Sequence, residues 1–230
     1  MPTPYSYVYG FILLTVITFG VFHSFTGRRF WLLLFGIIWL SISAKLAMLD
    51  FFMVADTVPP RLAFLILPML ILGLLIGFLP WFQRFRAAVS LENLHYLHAV
   101  RVIVELVFLH GLYETGFVAR ALTYEGYNFD IIPGILLPVV GYLAYSRKAI
   151  GRRWVVAANV FGIVVLAWTV VVAVLSAPTS YQQFGIGAPT TAIFYFPYVW
   201  LPALVAPLMF WSHFIVLGRL RDEGAAAGAG

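Results

Sequence analysis

Seven apolar stretches, at residues 5–22, 30–49, 62–82, 94–113, 131–145, 154–175 and 191–217, leave few folds open to this chain. A hydrocarbon layer of about 30 Å is crossed by about 20 helical residues, and most of the stretches meet that length. The fifth is short and the fourth is less apolar than the rest. Helix is the required conformation, because an open strand would leave its backbone amides and carbonyls unpaired in lipid. No ten-residue alternation of the kind that marks a membrane β-barrel is present. Of 230 residues, 63% are hydrophobic and 10% charged, against roughly 25% charged in a water-soluble domain. Aromatic residues make up 17%, which excludes a disordered chain. The expected fold is all-α, a polytopic seven-transmembrane-helix bundle. It is expected to form a single domain over residues 1–223, with a disordered Gly/Ala tail at 224–230.

The charges that remain predict how such a bundle would sit. Arg28, Arg29, Arg84, Arg86, Arg147, Lys148, Arg152, Arg153, Arg219 and Arg221 all fall at one set of helix ends. The opposite loops hold only Arg61 and Arg120, together with Asp50, Asp56, Glu114, Glu125 and Asp130. Cations collect on the cytoplasmic side, so the N-terminus is expected outside and the C-terminus inside. The net charge of +5 is thereby a matter of topology, with a lipid bilayer and not nucleic acid as the partner. The first stretch has no basic segment before it and no small-residue cleavage site after it, so it reads as a retained span. Cysteine is absent, which removes disulfides, thiolate nucleophiles and iron–sulfur ligation.

Chemistry is concentrated on the fourth stretch. At 100° per residue, His98, Arg101 and Glu105 fall on one helical face. Glu105 lies roughly 16 Å along the axis from Leu94, near the centre of a bilayer. Ionisable groups at that depth are costly unless paired or wetted, and they commonly mark a substrate or proton pathway. An i, i+4 pair between Arg101 and Glu105 is the first expectation. Four histidines, His23, His95, His98 and His213, are expected at the cytoplasmic face, and His95, His98 and His213 are candidate ligands for haem or a metal. His110 points away from Glu105 and belongs to neither group.

Two longer segments, 114–130 and 176–190, are expected on the outer side as a mouth or lid over the interior. Glu125, Asn128 and Asp130 extend the candidate pathway there, although Asn128 or Asp130 could instead cap the fifth helix. Prolines at 68, 133, 138, 197, 202 and 207 are expected to bend their helices. The aromatic run from Phe194 to Trp200 is expected as an interfacial belt.

Several segments taken together resemble a known group. They are VPPR at 58–61, HAVRVIVE at 98–105, YEGYNFD at 124–130, LSAPTSYQQF at 175–184 and YFPYVWLP at 195–202. The set is similar to a family of small bacterial integral membrane proteins with no assigned activity. The resemblance implies a bacterial inner-membrane location and no mechanism. The function expected from the residues is binding or translocation of a small solute or proton through a polar intramembrane cavity. In that reading Glu105 is the titratable group, Arg101 its partner and His98 an inner relay. Two other classes stay open: a haem- or metal-dependent membrane redox or lipid-modifying enzyme, and a non-catalytic subunit or sensor.

Overall fold

A computed structural model describes residues 4–54 and 57–228. Asp56, placed above among the acids of the less basic side, lies outside the described residues. Among the described residues the structure is helical, with no strand. Five helices are long and apolar enough to cross a membrane: α1 (Tyr5–Phe25), α2 (Phe30–Met48), α4 (Leu91–Glu114), α6 (Arg152–Ser176) and α7 (Leu201–Ala227). Two more are shorter. α3 (Ala63–Phe78) stops before Pro80 and turns by 74° into the segment Pro80–Ala88, and α5 (Ile131–Ser146) follows the longer loop after α4.

The helices differ in how much of their circumference is enclosed. α1 buries Phe11, Thr15, Thr18, Phe19 and Phe22, one stripe at helical spacing, and leaves Tyr9, Leu13, Val16 and Ile17 exposed. In α7 every residue from Pro207 to Val216 is buried, so this helix is the axis of the bundle. α3 packs along α7, α6 packs on α5 and α7, and α4 packs on α5 and α1. The approach of α3 to α7 is backbone to backbone. A Cβ on Gly218 would lie 1.8 Å from the Gly77 carbonyl oxygen, so only glycine fits there.

Beside that contact, Arg86 is fully buried. Its Nε and Nη2 donate to Asp222 at 2.9 and 2.6 Å, and its Nη1 donates to the carbonyls of Ile76 and Leu79 at the end of α3. Arg219 donates to the carbonyls of Arg86 and Ala87. These cations therefore hold the bent segment onto α7, Arg86 by binding carbonyls at the end of α3 and Arg219 by binding carbonyls at the end of the bent segment itself.

α7 starts ten residues later than the apolar pattern suggests. Pro197 removes a donor before the helix can form, Pro202 sits in the opening turn, where an amide needs no intrahelical partner, and Pro207 directly follows the π turn Leu201–Val205 inside the helix. The aromatic run ahead of α7 is not a surface belt. Phe194 and Tyr198 are buried, and the Trp200 indole donates to the Leu40 carbonyl. At the other end α7 runs on to Ala227, through most of the segment expected to be unstructured.

Candidate functional site

α4 opens with Ser90, whose hydroxyl accepts from the Asn93 amide. It then departs from regular α geometry twice. Bonds from His98, Ala99, Arg101 and Val102 reach back three residues, which tightens the helix, and Val104–Leu109 form a π turn, which widens it. The uniform phase assumed from the sequence therefore does not hold across Arg101 and Glu105.

The expected Arg101–Glu105 pair does not form, and each side chain finds a different partner. Arg101, 3% exposed, donates from Nη2 to Asp130 Oδ1 at 2.5 Å. Glu105, 2% exposed, accepts at Oε1 from Asn128 Nδ2 at 2.6 Å. Asn128 Nδ2 also donates to the Leu122 carbonyl, while its Oδ1 accepts from the Asp130 amide and from the Thr169 hydroxyl. Thr169 on α6 also reaches Asp130 Oδ1 at 2.9 Å. Neither Asn128 nor Asp130 caps α5 through its side chain onto that helix's free amides. Both turn inward to α4 instead. Glu125 is not part of this group: it is exposed and pairs with Arg120 at 3.6 Å.

Above this cluster lies a cavity of about 550 Å³ in the gap between α3 and α6, backed by α7. Its walls are apolar, with Leu70 from α3, Ala173 from α6 and Phe210 from α7 among them. The expectation of a polar cavity is corrected here. Its polar side chains are Glu105, Asp130 and Thr169 at one end and Thr179 and Tyr181 from the second long loop, because the acids fold inward while their neighbours on α3, α6 and α7 are hydrocarbon. Val58, Leu67 and Tyr181 line it and are largely exposed, so it opens outward at that rim. The two long loops meet nearby. The Ala119 amide donates to Thr190 Oγ1, Thr191 and Ala192 donate to the Phe117 carbonyl, and the rings of Tyr127 and Phe184 lie 5.2 Å apart.

The other half of the polar face of α4 meets a separate set of partners. His95 Nδ1 donates to the Leu91 carbonyl at 2.7 Å, which leaves Nε2 to accept from Asn159 Nδ2 at 3.0 Å. The same amide nitrogen donates to the Val155 carbonyl, so Asn159 Oδ1 faces His213 and accepts from its Nδ1 at 2.9 Å. Ser212 donates to the Met209 carbonyl and lies 2.7 Å from His98 Nε2. The rings of His98 and His213 are 4.3 Å apart. Gly162 lets this layer close: a Cβ there would lie 2.4 Å from His213 Cε1. The three histidines expected to bind metal or haem do come together, but the donor set does not fit. Both nitrogens of His95 are engaged, and no grouping of three metal-ligating side chains occurs among the described residues. His23, also expected with them, instead contacts the Arg29 carbonyl.

The family described as "Domain of unknown function (DUF8737)" matches residues 58–221. The chain belongs to this family. The matched stretch contains the whole cavity and both polar layers and leaves out α1 and α2. No curated protein and no solved structure matches the chain.

Three contributors were missed by sequence reasoning. Asn159 is a lone amide in a long apolar helix, a legible signal for a buried hydrogen-bonding role. Thr169 and Ser212 gave no signal, since a hydroxyl in an apolar helix can bond its own i−4 or i−3 carbonyl, as each does here.

Proposed function

We propose that the chain is a seven-span protein of the bacterial cytoplasmic membrane that binds a small, largely apolar solute in the cavity between α3 and α6. The observation that carries this reading is one uncommitted atom. Glu105 Oε2 is buried without a hydrogen-bond partner, on a side chain that lines a mostly hydrocarbon cavity. A buried polar oxygen left bare is costly, and a solute with a polar head and an apolar body would satisfy both the oxygen and the walls. Such sites, mostly apolar with a few convergent polar groups and some hundreds of cubic ångströms in volume, are the usual form of a small-molecule pocket.

The spans support the setting. α3 and α5 would complete seven crossings with the five longer helices, and Arg86, Arg219 and Arg221, three of the cations expected on the cytoplasmic side, lie together at the junction of α7 with the bent segment. With the N-terminus outside, the rim at Val58, Leu67 and Tyr181 lies toward the outer leaflet, and solute would reach it through the gap between α3 and α6.

Two measurements test the reading. An alkyl diazirine photolysed in lipid nanodiscs should label peptides of α3 and α6 in preference to the exposed faces of α1 and α2, and Ala173→Phe should abolish the preference. Labelling spread evenly over all outward faces would exclude a cavity site. Because the chain has no cysteine, single Ser180→Cys and Gly151→Cys substitutions report orientation cleanly. Both positions are exposed. A membrane-impermeant maleimide should reach Cys at 180 from the outside and Cys at 151 only after lysis, and the reverse pattern would invert the topology.

A further inference from the structure

The residues that line the floor of the cavity, Glu105, Asp130 and Thr169, offer a ligand acceptors and no free donor, and Arg101, whose Nε and Nη1 are also without a partner, is not among the lining residues. Asn128 Nδ2 is committed to Glu105 and to the Leu122 carbonyl, and the Trp168 indole to the Tyr127 carbonyl. The single hydroxyl hydrogen of Thr169 faces three acceptors, Asn128 Oδ1, Asp130 Oδ1 and the Val165 carbonyl. What remains toward the cavity are the oxygens of Glu105, Asp130 and Thr169. A ligand seated there has to bring the hydrogens.

Charge narrows the choice among donor heads. Arg101 and Asp130 form a close pair, one cation against one anion. The carboxylate of Glu105 is met only by a neutral amide at Oε1, and its Oε2 is bare, on a side chain 2% exposed. A buried carboxylate is stabilised by a hydrogen-bonded cation far more than by a neutral hydroxyl. The walls above are hydrocarbon, and at ~30 Å³ per water the cavity has room for roughly 18 waters, enough for an alkyl chain of moderate length.

We propose that the ligand class of this cavity is the lipophilic amine, a molecule with an ammonium head that donates to Glu105 Oε2 and an apolar body that fills the gap between α3 and α6. This rests on the cavity being a binding site, and it adds the identity of the head.

The test compares three probes of equal length, n-decylamine, 1-decanol and decanoate, against the purified chain in nanodiscs, read by saturable thermal stabilisation and by native mass spectrometry. Decylamine should bind at least tenfold more tightly than decanol, and decanoate should give no saturable signal. Glu105→Gln, which keeps an oxygen for the Asn128 amide, should bring decylamine down to the level of decanol. Ala173→Phe, and independently Leu67→Trp at the rim, should weaken decylamine and decanol together. Equal affinity of the amine and the alcohol, both lost in the two filled variants, would overturn the amine class while the cavity reading stands. Tightest binding of decanoate would overturn it by showing that Arg101, and not Glu105, meets the head. Binding of every probe that ignores both filled variants would overturn the cavity reading itself.

Discussion

The two halves of the polar face of α4 contain similar residues and meet opposite fates. His95 and His98 close against Asn159, Ser212 and His213 in a packed layer where Gly162 removes even the space of a methyl group. Arg101 and Glu105, one and two turns further on, face Asp130 and Asn128 beside an open volume of about 550 Å³. Burial alone does not separate them, since all four are nearly inaccessible. The difference is what the neighbouring helices leave beside each group. Where α6 and α7 press together on α4, Asn159 and Ser212 cross-link the histidines, and the ring nitrogens left over, His98 Nδ1 and His213 Nε2, are sealed in packing. Where α3 stands away from α6, the unpartnered Glu105 Oε2 belongs to a side chain that lines an open volume.

Breaking the cross-link within the open half should have the largest effect on stability. Arg101→Met strands the Asp130 carboxylate and should cost about 3–5 kcal/mol in reversible unfolding, while Arg101→Met with Asp130→Leu should recover most of that loss. Next comes the sealed half. Asn159→Leu removes the bridge between His95 and His213 and should cost about 3 kcal/mol, because two buried ring nitrogens lose their partner. Gly162→Ala should follow at about 2 kcal/mol, by forcing His213 out of place. By contrast Glu105→Gln should change stability by less than about 1 kcal/mol, since it retains an acceptor for Asn128, while removing the preference for an amine. A large loss of stability in that variant, equal to that of Asn159→Leu, would erase the distinction between the halves. Smallest of all, Glu125→Gln should leave both unfolding and binding unchanged, because its pair with Arg120 is exposed.

How far the site was legible follows the range of the interactions involved. That Arg101 and Glu105 would be buried in the bundle was readable, because ionisable side chains in an apolar stretch are driven to its interior, but the pair expected between them does not form. Their actual partners were not readable, because Asp130 and Asn128 are more than twenty residues away and the π turn at Val104–Leu109 shifts the register that an i, i+4 argument requires. Similarly, the late start of α7 was encoded by Pro197, yet an unbroken apolar run concealed it.

What this sequence determined alone is the presence of apolar helices of membrane length, separated by short basic or acidic turns, since hydropathy and helical rise are properties of each segment taken singly. Only the packing of α3, α6 and α7 decided which polar groups on α4 are sealed and which border a cavity. That choice depends on shape complementarity between helices distant in the chain. A shortfall of contact between α3 and α6 has no counterpart in the residues of either helix read by itself.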